Sequence, residues 1–200
     1  MAFFGIIISK EGDYMIAYHI THDTVEINQI YELLDPDLSI IRDDMKHIIT
    51  DIYPEGLSRW GNYLYPQRSN TQNAGMIVYE TIYEYERRLN FPDLPSRFQS
   101  IFATKSIEDL KIWLPTFQAR NIPFFIWKID TLDSSVIELD SNYLAGGDVF
   151  GLQAFSPVLT SFAANKYWKG SMTDNPRKEL LVSPKIKFIE NISNQFLDIF

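Results

Sequence analysis

The absence of cysteine constrains this chain of 200 residues more than any other feature of its sequence. Without cysteine there is no disulfide scaffold, no thiol nucleophile and no thiolate ligand for zinc. Packing must therefore hold the fold together, and 14 Phe, 11 Tyr and 4 Trp residues offer a large apolar surface for it. So many aromatic side chains also argue against disorder. We expect residues 1–200 to form a single domain.

The charge balance narrows the classes of partner. The chain has 26 acidic and 18 basic residues, so its formal net charge is −8. This argues against a broad surface that follows nucleic-acid phosphates, although a local basic pocket stays possible.

No window of the sequence approaches the roughly 20 apolar residues of a membrane span. No basic residues precede the short apolar run at the N-terminus, so it is a poor signal peptide. We expect a soluble cytoplasmic protein with no membrane partner.

Hydrophobic periodicity predicts the secondary structure. Strands are predicted at residues 3–8, 14–20, 97–103, 124–129, 136–139, 179–182 and 186–189. Helices are predicted at residues 27–34, 40–52, 76–86, 106–115 and 154–168, and residues 54–75 are predicted to form a loop. The result is an α+β domain in which a mainly helical segment at about 27–90 lies between β-rich ends.

Several catalytic templates are absent from the sequence. It contains no phosphate-binding G-x-x-x-x-G-K-[ST] loop, no G-x-S-x-G nucleophile turn and no H-E-x-x-H zinc helix. With three histidines and no cysteine, no metal site is expected. His19 and His22 are predicted to face different sides of a strand end. His22 and His47 are interpreted as surface or structural residues.

Three short segments carry the functional signal. They are YHIT at residues 18–21, SRFQSIFA at residues 96–103 and ELLV at residues 179–182. In this order they resemble motifs of the mono-ADP-ribosyltransferases, including DarT-like members and related bacterial and phage proteins. The resemblance implies an ADP-ribosyltransferase-like fold, with a split mixed sheet and a helical insertion. It also implies NAD as the substrate and a glycosyltransferase reaction.

The chemistry of this reaction explains why such residues are wanted. Breaking the nicotinamide–ribose bond develops positive charge on the ribose, and a carboxylate that binds ribose hydroxyls stabilises that state. The resemblance assigns this catalytic role to Glu179, at the start of a strand.

The resemblance also implies a set of NAD-binding residues. An imidazole can hold another ribose hydroxyl, a guanidinium can bind the pyrophosphate with two hydrogen bonds, and an aromatic ring can stack on nicotinamide. The residues assigned to this set are His19 with Thr21 for the ribose, Arg97 for the pyrophosphate, Phe102 or Tyr167 for the stack, and Ser100 in the second motif.

Structural alternatives exist for each of these residues. His19 could be an ordinary strand-end histidine, and Arg97 could pair with an acidic neighbour. Glu179 could blunt an exposed edge strand. Phe102 and Tyr167 could both be core residues.

One departure from the family also matters, because arginine-modifying members carry an acidic or amide residue two places before the glutamate. That place is Arg177 here, so we do not expect an arginine-directed transferase and favour the histidine-type branch.

The sequence therefore predicts an NAD-dependent mono-ADP-ribosyltransferase with a macromolecular acceptor. The net negative charge favours protein over nucleic acid as that acceptor. The alternative is a non-catalytic module of the same fold that recognises a protein partner through aromatic residues such as Trp60, Tyr63 and Tyr65. Convergence of His19, Arg97 and Glu179 on one cleft would discriminate between the two.

Overall fold

A computed structural model describes residues 7–9, 15–66, 74–145 and 157–199. In these ranges eight strands form one sheet, in the order β1-β6-β7-β4-β2-β5-β8-β3. The strands are β1 (Ile7–Ser9), β2 (Ile16–Thr21), β3 (Ile30–Tyr31), β4 (Ile101–Thr104), β5 (Phe125–Asp130), β6 (Val136–Asp140), β7 (Lys178–Val182) and β8 (Ile186–Asn191).

The sheet consists of two four-stranded halves that meet at a short junction between β2 and β4. β2 pairs with β5 along its whole length, from Ile16 to Thr21. In the described residues it pairs with β4 only at Tyr18↔Thr104 and His19↔Ala103. The end of β2 and the start of β4 therefore separate, and side chains from both strands can enter the opening.

All strand pairs in the described part of the chain are antiparallel. The α+β class is observed, but the prediction of a mixed sheet, with parallel pairs as well, is wrong. Strand direction depends on how the connections cross the molecule. Local composition and periodicity carry no signal for it.

Five α-helices occur in the described ranges. They are α1 (Lys46–Ile52), α2 (Arg59–Leu64), α3 (Ala74–Asn90), α4 (Ile107–Gln118) and α5 (Pro157–Trp168). Short 3₁₀ helices occur at Leu38–Ile40, Asp43–Met45, Arg97–Gln99, Ser141–Ala145 and Ser193–Ile199. No helix in these ranges combines the length and the apolar content needed to cross a bilayer.

The long periodic elements agree with the sequence. The helix predicted at 76–86 lies inside α3, and the strands predicted at 124–129, 136–139, 179–182 and 186–189 are β5 to β8. The helix predicted at 40–52 is confirmed only in its second half, as α1. Parts of the predictions at 3–8, 14–20, 54–75 and 154–168 lie outside the described residues.

Two predictions in the segment 27–90 are wrong. Residues 27–34 are not a helix, because Ile30 and Tyr31 pair with the edge of β8 and Leu34 bridges Leu57. Tertiary pairing overrides a short helical pattern here. The loop predicted at 54–75 contains α2, whose first turn is capped when the Ser58 hydroxyl accepts a hydrogen bond from the Gly61 amide, at 3.1 Å.

Two element boundaries also differ from the prediction. The strand predicted at 97–103 begins only at Ile101, because the Ser96 hydroxyl accepts from the Phe98 amide and closes a 3₁₀ turn first. The helix predicted to stop near Pro115 runs on to Gln118, although proline removes one backbone donor. The consequence is an additional helical turn beside β4.

The core lies on both halves of the sheet. α3 and α5 cover the first half, where Tyr83 and Trp168 pack with Leu139 and Leu181 of β6 and β7. α4 covers the second half, and its Leu110 and Leu114 pack on Ile126 of β5. These contacts hold the two helical layers next to the junction between β2 and β4.

Candidate functional site

A cavity of about 560 Å³ opens at the junction between β2 and β4. Its walls come from the end of β2, the start of β4, one face of α4 and the beginning of α2. A volume of this size lies in the range of roughly 300–1,000 Å³ that is typical of small-molecule sites.

Most of the side chains that the sequence assigns to NAD line this cavity. Those that do are His19, Thr21, Arg97, Ser100, Phe102 and Glu179. Tyr167 is fully buried and is absent from the described lining. The three sequence motifs therefore converge on one site, as the enzyme hypothesis requires.

His19 is held as a neutral hydrogen-bond acceptor. Its Nδ1 lies 2.7 Å from the carbonyl oxygen of Phe102. Because a carbonyl only accepts, Nδ1 carries the proton and Nε2 keeps its lone pair. Burial lowers the pKa of His19 below its ordinary value, although the bond to Phe102 opposes the shift. The ring thus offers Nε2 as an acceptor for a ligand hydroxyl at neutral pH.

Glu179 lies at the start of β7 and is held by one of its two oxygens. Its Oε1 accepts hydrogen bonds from Nη1 of Arg97, at 2.9 Å, and from the hydroxyl of Tyr167, at 2.7 Å. In the described part of the chain, Oε2 has no hydrogen-bond partner. Glu179 lies within a strand paired on both sides, by β4 and β6, so it does not blunt an exposed edge. The carboxylate thus keeps one oxygen available.

Arg97 donates hydrogen bonds to three protein side chains. Its Nε and Nη2 donate to Glu80 of α3, at 3.0 and 3.1 Å, while Nη1 donates to Glu179 and to the hydroxyl of Tyr167. Burial disfavours the charged guanidinium, but Glu80, Tyr167 and Glu179 hold the pKa of Arg97 well above its ordinary value. Arg97 is therefore a permanent cation with two buried carboxylate partners.

These contacts correct the role predicted for Arg97. A guanidinium grips a pyrophosphate through two free N–H groups on one edge. In Arg97 both edges already donate to carboxylates or to Tyr167. The Arg97 side chain lines the cavity, but it joins Glu80, Tyr167 and Glu179 and offers no free pair of N–H groups on the edge that Glu80 holds.

Tyr167 was also predicted with the wrong role. Its ring packs edge-on against Tyr83 and Trp168, at centroid distances of 5.5 and 4.9 Å, so neither face is open for nicotinamide. Burial raises the pKa of its hydroxyl well above the ordinary value, which keeps it a neutral donor to Glu179. Phe102 lines the cavity instead, with the Arg97 guanidinium 4.7 Å from its ring centroid.

Thr21 and Ser100 use their hydroxyls locally. The Thr21 hydroxyl accepts a hydrogen bond from the Asp23 amide, at 3.0 Å, and closes the turn after β2. The Ser100 hydroxyl donates to the carbonyl of Ser96, at 2.7 Å, just before β4. Both residues shape the cavity wall, and neither hydroxyl is free of a protein partner.

With the site described, comparison with known proteins adds a family. A sequence profile described as "Protein of unknown function (DUF2441)" matches residues 8–194, which is nearly the whole chain. The chain belongs to DUF2441. No curated protein matches it.

In this DUF2441 chain His19 of the first motif and His22, which directly follows that motif, both line the cavity. The prediction that they face different sides agrees with their contacts, because the His19 ring packs against Phe188 in one core cluster, whereas the His22 ring packs against Phe124 beside the cluster that contains Leu110 of α4. The Nδ1 of His22 donates to the carbonyl of Pro123, at 2.9 Å, and its ring packs against Phe117. His22 therefore belongs to the wall of the site.

Helix α4 and the turn that follows it contribute residues that the sequence analysis missed. Trp113, Thr116, Phe117 and Arg120 line the cavity. Their spacing of three, four and seven residues places them on one face of a helix, and this periodicity could have identified them. Trp113 is fixed through its Nε1, which donates to the carbonyl of Lys178, at 2.9 Å.

Arg177 packs against α4 through contacts with Trp113 and Thr116. Its guanidinium lies 3.8 Å from the ring centroid of Trp113 and donates to the hydroxyl of Thr116. Burial lowers the pKa of Arg177, while the nearby Glu179 opposes the shift. The residue two places before the candidate catalytic glutamate is therefore a cation that packs on a cavity aromatic.

Glu80 is the other residue that the sequence analysis missed. It lies on α3, outside the three motifs, and is completely buried. A glutamate in a helical pattern is ordinarily solvated, so the sequence offers no signal for its burial. Only the packing of α3 against β7 and the 97–99 turn reveals that it shares Arg97 with Glu179.

Proposed function

We propose that this protein is an NAD-dependent mono-ADP-ribosyltransferase that modifies a macromolecular target, with protein favoured over nucleic acid. The observation that carries the proposal is the convergence of His19, Phe102 and Glu179 on one cavity at the opening between β2 and β4. The sheet in two halves supports the proposed ADP-ribosyltransferase-like fold. We place the activity in the cytoplasm of a bacterium or of a phage-infected cell.

The groups in the cavity suit the proposed reaction. The nicotinamide–ribose bond breaks, nicotinamide leaves with the bonding electrons, and the acceptor nucleophile bonds to the same ribose carbon and releases its proton to solvent. Positive charge develops on the ribose before the new bond is complete. Oε2 of Glu179 can accept from a ribose hydroxyl and stabilise that charge.

Two further groups can orient the substrate. The unprotonated Nε2 of His19 can accept a hydrogen bond from a second ribose hydroxyl. The aromatic walls at Phe102 and Trp113 can pack against the nicotinamide ring. These assignments keep the predicted role of His19 and replace Tyr167 by Trp113.

The pyrophosphate needs a cation other than Arg97. Arg59 also lines the cavity, but it is paired with Asp23. Arg120 lines the cavity with its guanidinium 4.9 Å from the ring centroid of Phe117, and no ion pair to a carboxylate involves it in the described ranges. We assign the anionic part of NAD to Arg120.

The proposal is tested with NAD that carries a label in the ADP-ribose part. Wild-type protein is incubated with the NAD and a cell lysate, and transfer to protein and release of nicotinamide are measured. The variant Glu179→Gln removes the charge but keeps the size, and we expect a loss of about 100-fold or more in rate. The matched control is Glu138→Gln on the neighbouring strand β6, which is outside the described cavity lining and keeps the wild-type rate.

Failure of the wild type to cleave NAD or to transfer label with any acceptor would overturn the proposal. Equal rates for Glu179→Gln and wild type would remove Glu179 from it. Release of nicotinamide without transfer would identify water as the acceptor, which is a variant of the same chemistry.

The alternative is a non-catalytic module that recognises a protein. Exposed apolar side chains in the segment 27–90 favour this function, among them Ile27, Ile30, Ile40 and Tyr63. Calorimetry without any heat of NAD binding, together with a stoichiometric protein partner, would favour the module over the enzyme.

A further inference from the structure

A second buried carboxylate lies behind Glu179. The side chain of Glu80 is 1% exposed, and that of Arg97, which joins the two carboxylates, is 6% exposed. Glu80 accepts from Nε and Nη2 of Arg97, whereas Glu179 accepts only from Nη1. The three charges therefore form one buried row that ends at the cavity.

We infer that Glu80 is a positioning residue for Glu179, because it confines the Arg97 guanidinium and so leaves Oε2 of Glu179 unpaired. A guanidinium and a carboxylate prefer a pair of parallel hydrogen bonds that uses both carboxylate oxygens. Glu80 occupies the Nε and Nη2 edge, which is one of the two guanidinium edges that could form such a pair, and so fixes the orientation in which only Nη1 meets Glu179. Without Glu80, Arg97 is free to take both oxygens of Glu179.

The charge balance leads to the same conclusion. Glu80, Arg97 and Glu179 together carry a net charge of −1, and without the Glu80 charge the group is neutral. A cation that develops in the cavity is stabilised by a net negative group and much less by a neutral ion pair. The effect of Glu80 on the rate rests on the proposed function, whereas its effect on the position of the Glu179 carboxylate does not.

Helix α3 supplies a matched control. Glu84 lies one turn after Glu80 and forms a buried pair with Arg87, whose Nε and Nη2 donate to it at 3.0 and 2.8 Å. Glu84 also accepts a hydrogen bond from the hydroxyl of Ser96. The chemistry of the two pairs is nearly the same, but only the Glu80 pair contacts Glu179.

The kinetic experiment compares Glu80→Gln and Glu84→Gln with the wild type. For Glu80→Gln we expect kcat to fall about tenfold or more, with the KM for NAD nearly unchanged, because the carboxylate is misplaced but the rest of the cavity is intact. Glu80→Asp keeps the charge and should recover part of the loss. Glu84→Gln should keep the wild-type kcat. Circular dichroism checks that each variant is folded.

Two kinetic results would overturn the inference. One is an equal loss of kcat in Glu80→Gln and Glu84→Gln, which would indicate a general effect of disturbing α3. The other is a wild-type kcat in folded Glu80→Gln.

A crystal structure of Glu80→Gln tests the inference without any activity. We expect both oxygens of Glu179 to lie within about 3 Å of Arg97 nitrogen atoms. An unchanged carboxylate, with Oε2 still unpaired, would overturn the inference. If the wild type does not act on NAD, the proposed function fails while this structural result still decides the role of Glu80.

Discussion

Two carboxylates and one guanidinium are buried together at the site, and the cost of removing such charges from water is large. Each ion loses several kcal/mol of hydration on burial, which only good hydrogen-bond geometry can offset. Arg97 donates to Glu80 and to Glu179, and Tyr167 adds a neutral donor to Glu179. A buried cluster of charges like this one adds little net stability to the fold by itself. Its position beside a cavity therefore favours a functional reason for burying these charges.

At the same scale, His19 makes stability depend on pH. Its pKa in the folded protein is lower than the ordinary value of about 6.5 in the unfolded chain. At a pH above this ordinary value, the imidazole is neutral in both the folded and the unfolded chain, so it does not change the free energy of unfolding. As the pH falls below this value, the imidazole takes up a proton in the unfolded chain but resists protonation in the folded protein. The free energy of unfolding should therefore decrease, by at most about 1.4 kcal/mol per pH unit for this one group.

The variant His19→Asn tests this dependence, because its amide can still donate to the carbonyl of Phe102. Urea denaturation between pH 7.5 and 5 should give a flatter slope for His19→Asn than for wild type. The control His47→Asn changes an exposed histidine of α1 and should keep the wild-type slope. Identical slopes for wild type and His19→Asn would contradict the assignment.

Among the elements, α4 connects local sequence to the cavity most directly. Its N-terminal end is capped by Ser106, whose hydroxyl accepts from the Asp109 amide, at 3.0 Å, and donates to the Asp109 carboxylate. The same helix carries Trp113, Thr116 and Phe117 into the cavity wall. The cap thus fixes the start of an element on which the site depends.

Removing this cap should destabilise the protein measurably. For Ser106→Ala we expect the free energy of unfolding to fall by about 1 kcal/mol, because the Asp109 amide loses its acceptor. Thr81→Ala, on the exposed face of α3, is the control and should change it by less than about 0.5 kcal/mol. Chemical denaturation measures both, and equal effects would contradict a specific role of the cap.

The sequence analysis missed α2, an element that depends on the close approach of two backbone segments. α2 begins in a segment with a loop-like composition, and its Gly61 lies directly against the carbonyl oxygen of Phe98. Even a Cβ atom at this position would collide with that backbone, so glycine is required here for proximity. A loop-like glycine and a glycine at a contact between two segments look the same in a sequence.

At the scale of the whole molecule, Arg97 links three distant parts of the chain. Its guanidinium joins Glu80 on α3, Tyr167 on α5 and Glu179 on β7. α3 and α5 cover the half of the sheet that contains β7, so this one side chain adds buried polar contacts to the apolar packing between the three elements. Replacing it should affect global stability and not only the cavity.

The variant Arg97→Gln leaves two buried carboxylates without their cation. We expect it to lower the free energy of unfolding by about 3–5 kcal/mol. The control Arg42→Gln breaks the exposed pair with Asp44, in which both side chains are more than half exposed, and should cost at most about 1 kcal/mol. Urea denaturation compares the two, and a similar small effect in both would contradict the structural role of Arg97.

The sequence by itself determined the long elements and the three motifs that meet at the site. Residues 76–86, 124–129 and 179–182 carry strong periodic patterns, and such patterns report on burial within one element. The lack of cysteine already excluded a thiol nucleophile and thiolate ligands for zinc. These conclusions required no knowledge of how the elements meet.

Only the tertiary structure decided what the key side chains contact. The sequence analysis placed Arg97 on a pyrophosphate and Tyr167 on nicotinamide, whereas both hold Glu179, and the burial of Glu80 left no trace in the sequence. The direction of the strands and the opening between β2 and β4 were likewise set by long-range pairing. The physical reason is that periodicity is local, while the partner of a polar side chain depends on which distant segment the packing brings within about 3 Å of it.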